Sequence, residues 1–212
     1  MSYLRDPAEI ERRSFEQIRR LTDLSGLDDV QQQVAMRMVH TSGEPELAGA
    51  IRFTGQATRS GLDALHTGAT VLCDTEMVVH GIARRFLDGP IRCFLNAPSV
   101  AERARRRNVT RSMAALDLWL PHLDGAIVVI GNAPTALFRL LEMLGDDASR
   151  PALIIGMPVG FIGAEESKQA LWEACEADPR LQAITLTGRR GGSALAASAL
   201  NALARYRRGI RY

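Results

Sequence analysis

Five short, continuously apolar runs constrain this chain most: Ala69 to Cys73, Ile91 to Leu95, Ala126 to Ile130, Ala152 to Ile155 and Ala183 to Leu186. Each is too short for a buried helix, and stretches of helical composition separate one from the next. Strands without apolar–polar alternation have both faces covered, and their alternation with helices means a parallel sheet with helices above and below. The expected fold is therefore α/β and doubly wound, with a mainly parallel five-stranded sheet, helices on both faces and an N-terminal helical segment. That segment starts at Asp6-Pro7 and carries Ile10, Phe15, Ile18 and Leu21 as an approximately helical stripe up to Gly26. A second helix is expected from about Asp28 to Val39 and a third from about Gln56 to Leu65.

At 212 residues and 46% hydrophobic, the chain suits one well-buried domain, residues 1–212, better than two. Charges at Arg5, Asp6, Glu9, Glu11, Arg12 and Arg13 rule out an apolar signal-peptide core at the start. Uncharged stretches such as Pro151 to Gly163 are too short for a membrane span, which needs about 20 residues. These features describe a soluble, cytoplasmic protein. Cys73, Cys93 and Cys175 are widely spaced among apolar neighbours, as reduced core thiols are. Net charge is only +2, yet Lys168 is the sole lysine beside many arginines. A guanidinium grips carboxylate or phosphate with two prongs, although genomic base composition explains the bias equally well.

Each strand ends in a distinctive loop: Asp74 to Met77, Asn96 to Ser99, Gly131 to Ala136, Gly156 to Gly163 and Gly188 to Ser193. In an open α/β sheet these loops share one rim, where ligands bind. Neither glycine-rich loop matches a nucleotide motif. Gly188 to Ser193 lacks the lysine and spacing of a Walker loop, and Gly156, Gly160 and Gly163 do not make G-x-G-x-x-G. Tight turns account for most of these glycines, but Gly191-Gly192-Ser193 opening a helix also offers N–H groups to an anion. Asn132, Pro134 and Thr135 make an ordinary helix start, with Gly145 as its stop. His40, His66, His80 and His122 are scattered outside any metal motif. The basic run Glu102 to Ser112 lacks interleaved aromatics, so a solvated helix face explains it better than nucleic-acid binding. Arg111, Arg189 and Arg190 stand at helix starts, where a cation is disfavoured unless an anion lies nearby.

His40 lies where an apolar helix meets Thr41-Ser42-Gly43. Read alone, it is a helix cap before it is a catalyst. Arg37, three residues earlier, shares its helix face, and Glu44 follows closely enough to influence the imidazole. An acid–base role stays open, because histidine exchanges protons most readily near neutral pH. The residues alone reach an anion-binding α/β protein and no particular reaction.

Seven stretches in order carry a closer resemblance: E-R-R-S-F (Glu11 to Phe15), R-M-V-H-T-S-G (Arg37 to Gly43), D-T-E-M-V (Asp74 to Val78), T-R-S-M-A-A, G-N-A-P-T-A-L-F-R-L-L-E, G-M-P-V-G-F-I-G-A-E-E-S-K and G-R-R-G-G-S. Together they resemble the precorrin-8X methylmutase family of cobalamin biosynthesis, over essentially the whole chain. The resemblance implies an isomerase that moves a methyl group from carbon 11 to carbon 12 of a corrin precursor, yielding hydrogenobyrinate. The shift is intramolecular and implies no cofactor. The resemblance also implies a homodimer, a tetrapyrrole substrate and hand-over to the next enzyme of the pathway. It makes His40 the proton donor or acceptor and Ser14 and Arg37 substrate contacts. Arg111 and the loop containing Gly191, Gly192 and Ser193 would hold peripheral carboxylates. Ser42 stands where some members of the family have threonine, keeping the hydroxyl, and Arg190 replaces a frequent lysine, keeping the charge. Two other readings stand beside this one: a cobalt-precorrin-8 methylmutase, or a non-catalytic corrinoid carrier. A nucleotide-dependent α/β enzyme lacks its phosphate motif.

Overall fold

The computed structural model describes residues 3–146 and 149–212. Its sheet contains β1 (Ile51–Phe53), β2 (Val71–Cys73), β3 (Ile91–Cys93), β4 (Ile127–Ile130), β5 (Leu153–Gly156) and β6 (Ala183–Leu186), in the order β1-β6-β5-β4-β2-β3. All five expected strands are present and parallel to their neighbours among themselves. The sixth, β1, is an antiparallel edge strand with Ile51 opposite Leu186. Its three residues include an exposed arginine, Arg52, which breaks the apolar run that marked the others.

Strand residues alternate between two cores, as the pleat requires. Ile127 and Val129 face one core with Leu153, Ile155 and Ile184, while Val128 and Ile130 face the other with Leu72 and Ile154. The first core lies beneath α2 (Asp29–Ser42), α3 (Ala57–His66), α4 (Glu76–Gly81) and α9 (Ser193–Arg207). The second is covered by α7 (Pro134–Asp146) and α8 (Ala164–Ala177), with Leu116 of α6 (Arg111–Leu116) and Trp119. α1 (Pro7–Leu21) packs outside α2, and α5 (Pro98–Arg107) packs on α6. The expected start of α1 is realised: Pro7 is its first residue and the Asp6 carboxylate accepts from the Glu9 N–H.

Two helix ends differ from expectation. Helix α2 runs past Val39 to Ser42 because the Thr41 and Ser42 hydroxyls donate back to the Arg37 and Val39 carbonyls, and Gly43 then closes it in the left-handed conformation. Helix α7 continues through Gly145 instead of stopping there. Helix α2 lies antiparallel to α9: the Tyr206 hydroxyl meets Asp29 at one end, and Arg190 pairs with Glu44 at the other. The carboxyl end of α2, which carries His40, is thereby brought to the rim where β6 turns into α9.

Candidate functional site

The strand order reverses between β2 and β4, the place where such sheets leave a ligand crevice. Here the chain fills that crevice itself. The buried Asp74 carboxylate, directly after β2, accepts N–H bonds from Gly131 (3.0 Å), Asn132 (2.9 Å) and Ala133 (3.0 Å) before α7. Burial pushes this carboxyl up from its ordinary range, against the three N–H donors that favour the anion. The start of α7 is thus occupied by an internal carboxylate, and an external phosphate would have to displace it.

The open part of the rim lies beside α9. Gly191 has no room for a side chain, since a Cβ there would stand 2.3 Å from the Met157 carbonyl oxygen and 2.5 Å from that of Pro158. This close approach lets the Gly192 N–H donate to the Met157 carbonyl at 2.8 Å, which ties the β6 loop to the β5 loop. That N–H is therefore committed within the protein. The buried Ser193 hydroxyl sits 3.4 Å from that of Thr75. A third tie comes from Lys168, which is 2% exposed and donates from Nζ to the Arg190 carbonyl at 2.5 Å. Burial lowers its pKa to about 8. The chain's single lysine is thus a compact buried donor in a protein whose other basic side chains are all arginine or histidine.

His40 occupies the last turn of α2 and is not a cap. Among the described residues its ring has no hydrogen-bond partner, and it lies flat on Phe15, with centroids 4.9 Å apart and planes 7° apart. Burial and the Arg37 guanidinium lower its pKa from the ordinary histidine value, with the Glu11 carboxylate opposing. Glu44, expected to influence the imidazole, pairs instead with Arg190 at 3.0 Å. Ser14 and His40 line one cavity of about 190 Å³ together with Gln17, Val39 and Pro45. Arg37 turns to the other side of Phe15, 4.0 Å from Glu11 and with its guanidinium 5.7 Å from the Tyr212 ring centroid. Arg111 is exposed at the start of α6, on the opposite layer of the sheet. Its position is set by Thr110, whose hydroxyl accepts from Met113 and lies 2.8 Å from that of Thr135. One chain therefore unites Ser14 and His40, keeps Arg37 behind them and leaves Arg111 apart.

The cavity beside His40 is smaller than the roughly 300–1,000 Å³ of ordinary ligand sites. A large ligand would therefore lie across the open rim. There Phe161 and Ile162 are 86% and 89% exposed, and the Arg189 guanidinium stands 6.0 Å from the Phe161 ring centroid. Exposed apolar side chains flanked by guanidiniums suit a flat, greasy ligand with an anionic periphery.

The precorrin-8X methylmutase (CbiC) family model matches residues 9–206. The precorrin-8X methylmutase of Pseudomonas aeruginosa is 46% identical over 207 residues, covering 96% of this chain and 98% of that protein. The cobalt-precorrin-8 methylmutase of Priestia megaterium is 35% identical, over 93% of this chain and 87% of its own. The crystal structure titled as precorrin-8X methyl mutase from Thermus thermophilus superposes with a TM-score of 0.85 at 36% identity, covering 94% of this chain and 96% of that one. Sequence and fold agree over nearly the whole length, and the chain belongs to the precorrin-8X methylmutase family.

Proposed function

We propose that this protein is an isomerase of cobalamin biosynthesis that converts precorrin-8X to hydrogenobyrinate by moving a methyl group from carbon 11 to carbon 12. One carbon–carbon bond breaks and one forms within the same molecule, so substrate and product have the same composition. The observation that carries the reading is His40, an accessible imidazole without a hydrogen-bond partner among the described residues, beside Ser14 in a cavity at an open, apolar, arginine-flanked rim. Much of the rate comes from holding the migrating methyl over its acceptor carbon, and a proton from His40 to the macrocycle favours the shift. The higher identity to the precorrin-8X enzyme than to the cobalt-precorrin-8 enzyme favours the metal-free substrate. Incubation with both substrates side by side tests this: the spectrum of the metal-free one changes faster. Binding without any conversion would leave a corrinoid carrier in its place.

The direction of proton transfer has its own signature. If His40 donates, kcat/KM follows its protonated fraction in the free enzyme and declines as pH rises through a value below 6.5, the side to which its surroundings move it. A profile that rises through the same window would make His40 the acceptor.

No helix among the described residues is long and apolar enough to cross a membrane, and a cytoplasmic location fits the pathway. We further propose that the enzyme is a homodimer and hands its product on to the next enzyme. Sedimentation velocity at micromolar concentration is expected to give twice the chain mass, and a monomer at every concentration would overturn the dimer.

A further inference from the structure

The His40 ring does not rest on Phe15 alone. Phe15 is buried, and its other neighbour is the Tyr212 ring, with centroids 3.8 Å apart and planes 12° apart. The three rings form one continuous stack, from His40 through Phe15 to Tyr212. Tyr212 is held in turn by its surroundings: its N–H donates to Gln33 at 2.8 Å, and its carbonyl accepts from Arg19 at 2.8 Å. Two guanidiniums flank its ring, Arg37 at 5.7 Å and Arg205 at 5.1 Å from the centroid. Glu11 ties those two together, at 4.0 Å from Arg37 and 3.0 Å from Arg205. Tyr212 is therefore in contact with Arg37 directly and with His40 through one intervening ring. It lies past the region matched to the family, which ends at residue 206.

We propose that Tyr212 is a positioning residue for the isomerisation: by backing Phe15 and packing under the Arg37 guanidinium, it fixes the plane of the His40 imidazole and the place of Arg37 together. The proposal rests on His40 being the proton-handling group. Its physical basis is that His40 has no hydrogen bond among the described residues to set its ring angle, so face-to-face packing is what orients it. Among the described residues the buried Tyr212 hydroxyl makes no geometric hydrogen bond, although the Arg37 guanidinium acts on it, so the ring face is the part that backs Phe15. The charged groups around His40 are Arg37 on its own helix and Glu11 on α1. Arg205 on α9 holds Glu11 in place.

The test compares Tyr212→Ala and Tyr212→Phe with the wild type, using isotope-labelled histidine and His40→Ala to assign the His40 signal. In the wild type the face of Phe15 is expected to shift the His40 ring protons. Tyr212→Ala is expected to release that shift and to lower kcat about tenfold, since small misplacements of reacting groups are costly. Tyr212→Phe is expected to keep both the signal and the rate. A purely structural role would lower thermal stability while leaving the His40 signal and kcat of the folded enzyme unchanged, and that result would overturn the proposal. Loss of the signal shift with kcat intact would also overturn it. If instead His40→Ala itself turns over normally, the catalytic reading of His40 fails, and the signal in Tyr212→Ala still reports whether the stack orients the ring.

Discussion

His40→Ala is expected to lower kcat by about 10²–10⁴-fold, the usual contribution of one well-placed proton-transfer group, with KM changed little. The residue sits at the edge of a small cavity and on top of Phe15, so truncation removes an accessible imidazole and leaves the core beneath it in place. The proposed substrate surface is wider than this cavity, taking in the apolar β5 loop and the arginines along the rim, which the substitution does not touch. Steady-state kinetics with precorrin-8X, together with equilibrium binding, separate the two. A variant that binds poorly but turns over at the wild-type rate would make His40 a contact instead of an acid.

Asp74→Ala is expected to have the largest effect on stability. Three N–H groups at the start of α7 lose their acceptor, and part of that turn is buried. Leaving buried donors unsatisfied costs about 1–3 kcal/mol each where water cannot reach, so the sum is on the order of 3–5 kcal/mol. For a domain of this size that corresponds to a fall of about 10 °C or more in the melting temperature. Asp74→Asn recovers only part, because its amide nitrogen turns a donor toward donors. Thermal unfolding followed by circular dichroism measures both. A loss below about 1 kcal/mol in Asp74→Ala would show that water replaces the carboxylate at the switch point.

The five parallel strands are legible in the sequence because both of their faces are covered, so their composition stays apolar throughout. The edge strand β1 is not, since Arg52 faces outward between two inward residues and three residues are too few to show a pattern. Thr41 and Ser42 read as a stop signal, yet their hydroxyls satisfy helix carbonyls and carry α2 one turn further, which puts His40 inside it. Spacing alone places Arg37 and His40 on one helix face. It cannot show that Phe15 stacks on His40, or that Arg37 turns toward Glu11 and Tyr212, because those contacts come from distant parts of the chain. The separation of Arg111 from His40 is likewise a matter of topology, since α6 and α2 cover opposite faces of the sheet. Asp74 appeared as one residue of a rim loop, and its occupancy of the α7 start depends on the strand order that places β2 beside β4. The family motifs single out Ser14, Arg37 and His40, of which the fold brings Ser14 and His40 to one cavity and turns Arg37 to the other side of Phe15.

The most direct measurement follows the migrating methyl. The purified protein is incubated with an equal mixture of unlabelled precorrin-8X and precorrin-8X that carries a ¹³C methyl on carbon 11 and a second isotope in the ring. Nuclear magnetic resonance locates the methyl, and mass spectrometry shows whether both labels remain in one molecule. The expected result is ¹³C on carbon 12, with doubly labelled and unlabelled products only. A methyl that stays on carbon 11, or product in which the two labels have separated, would contradict an intramolecular methylmutase.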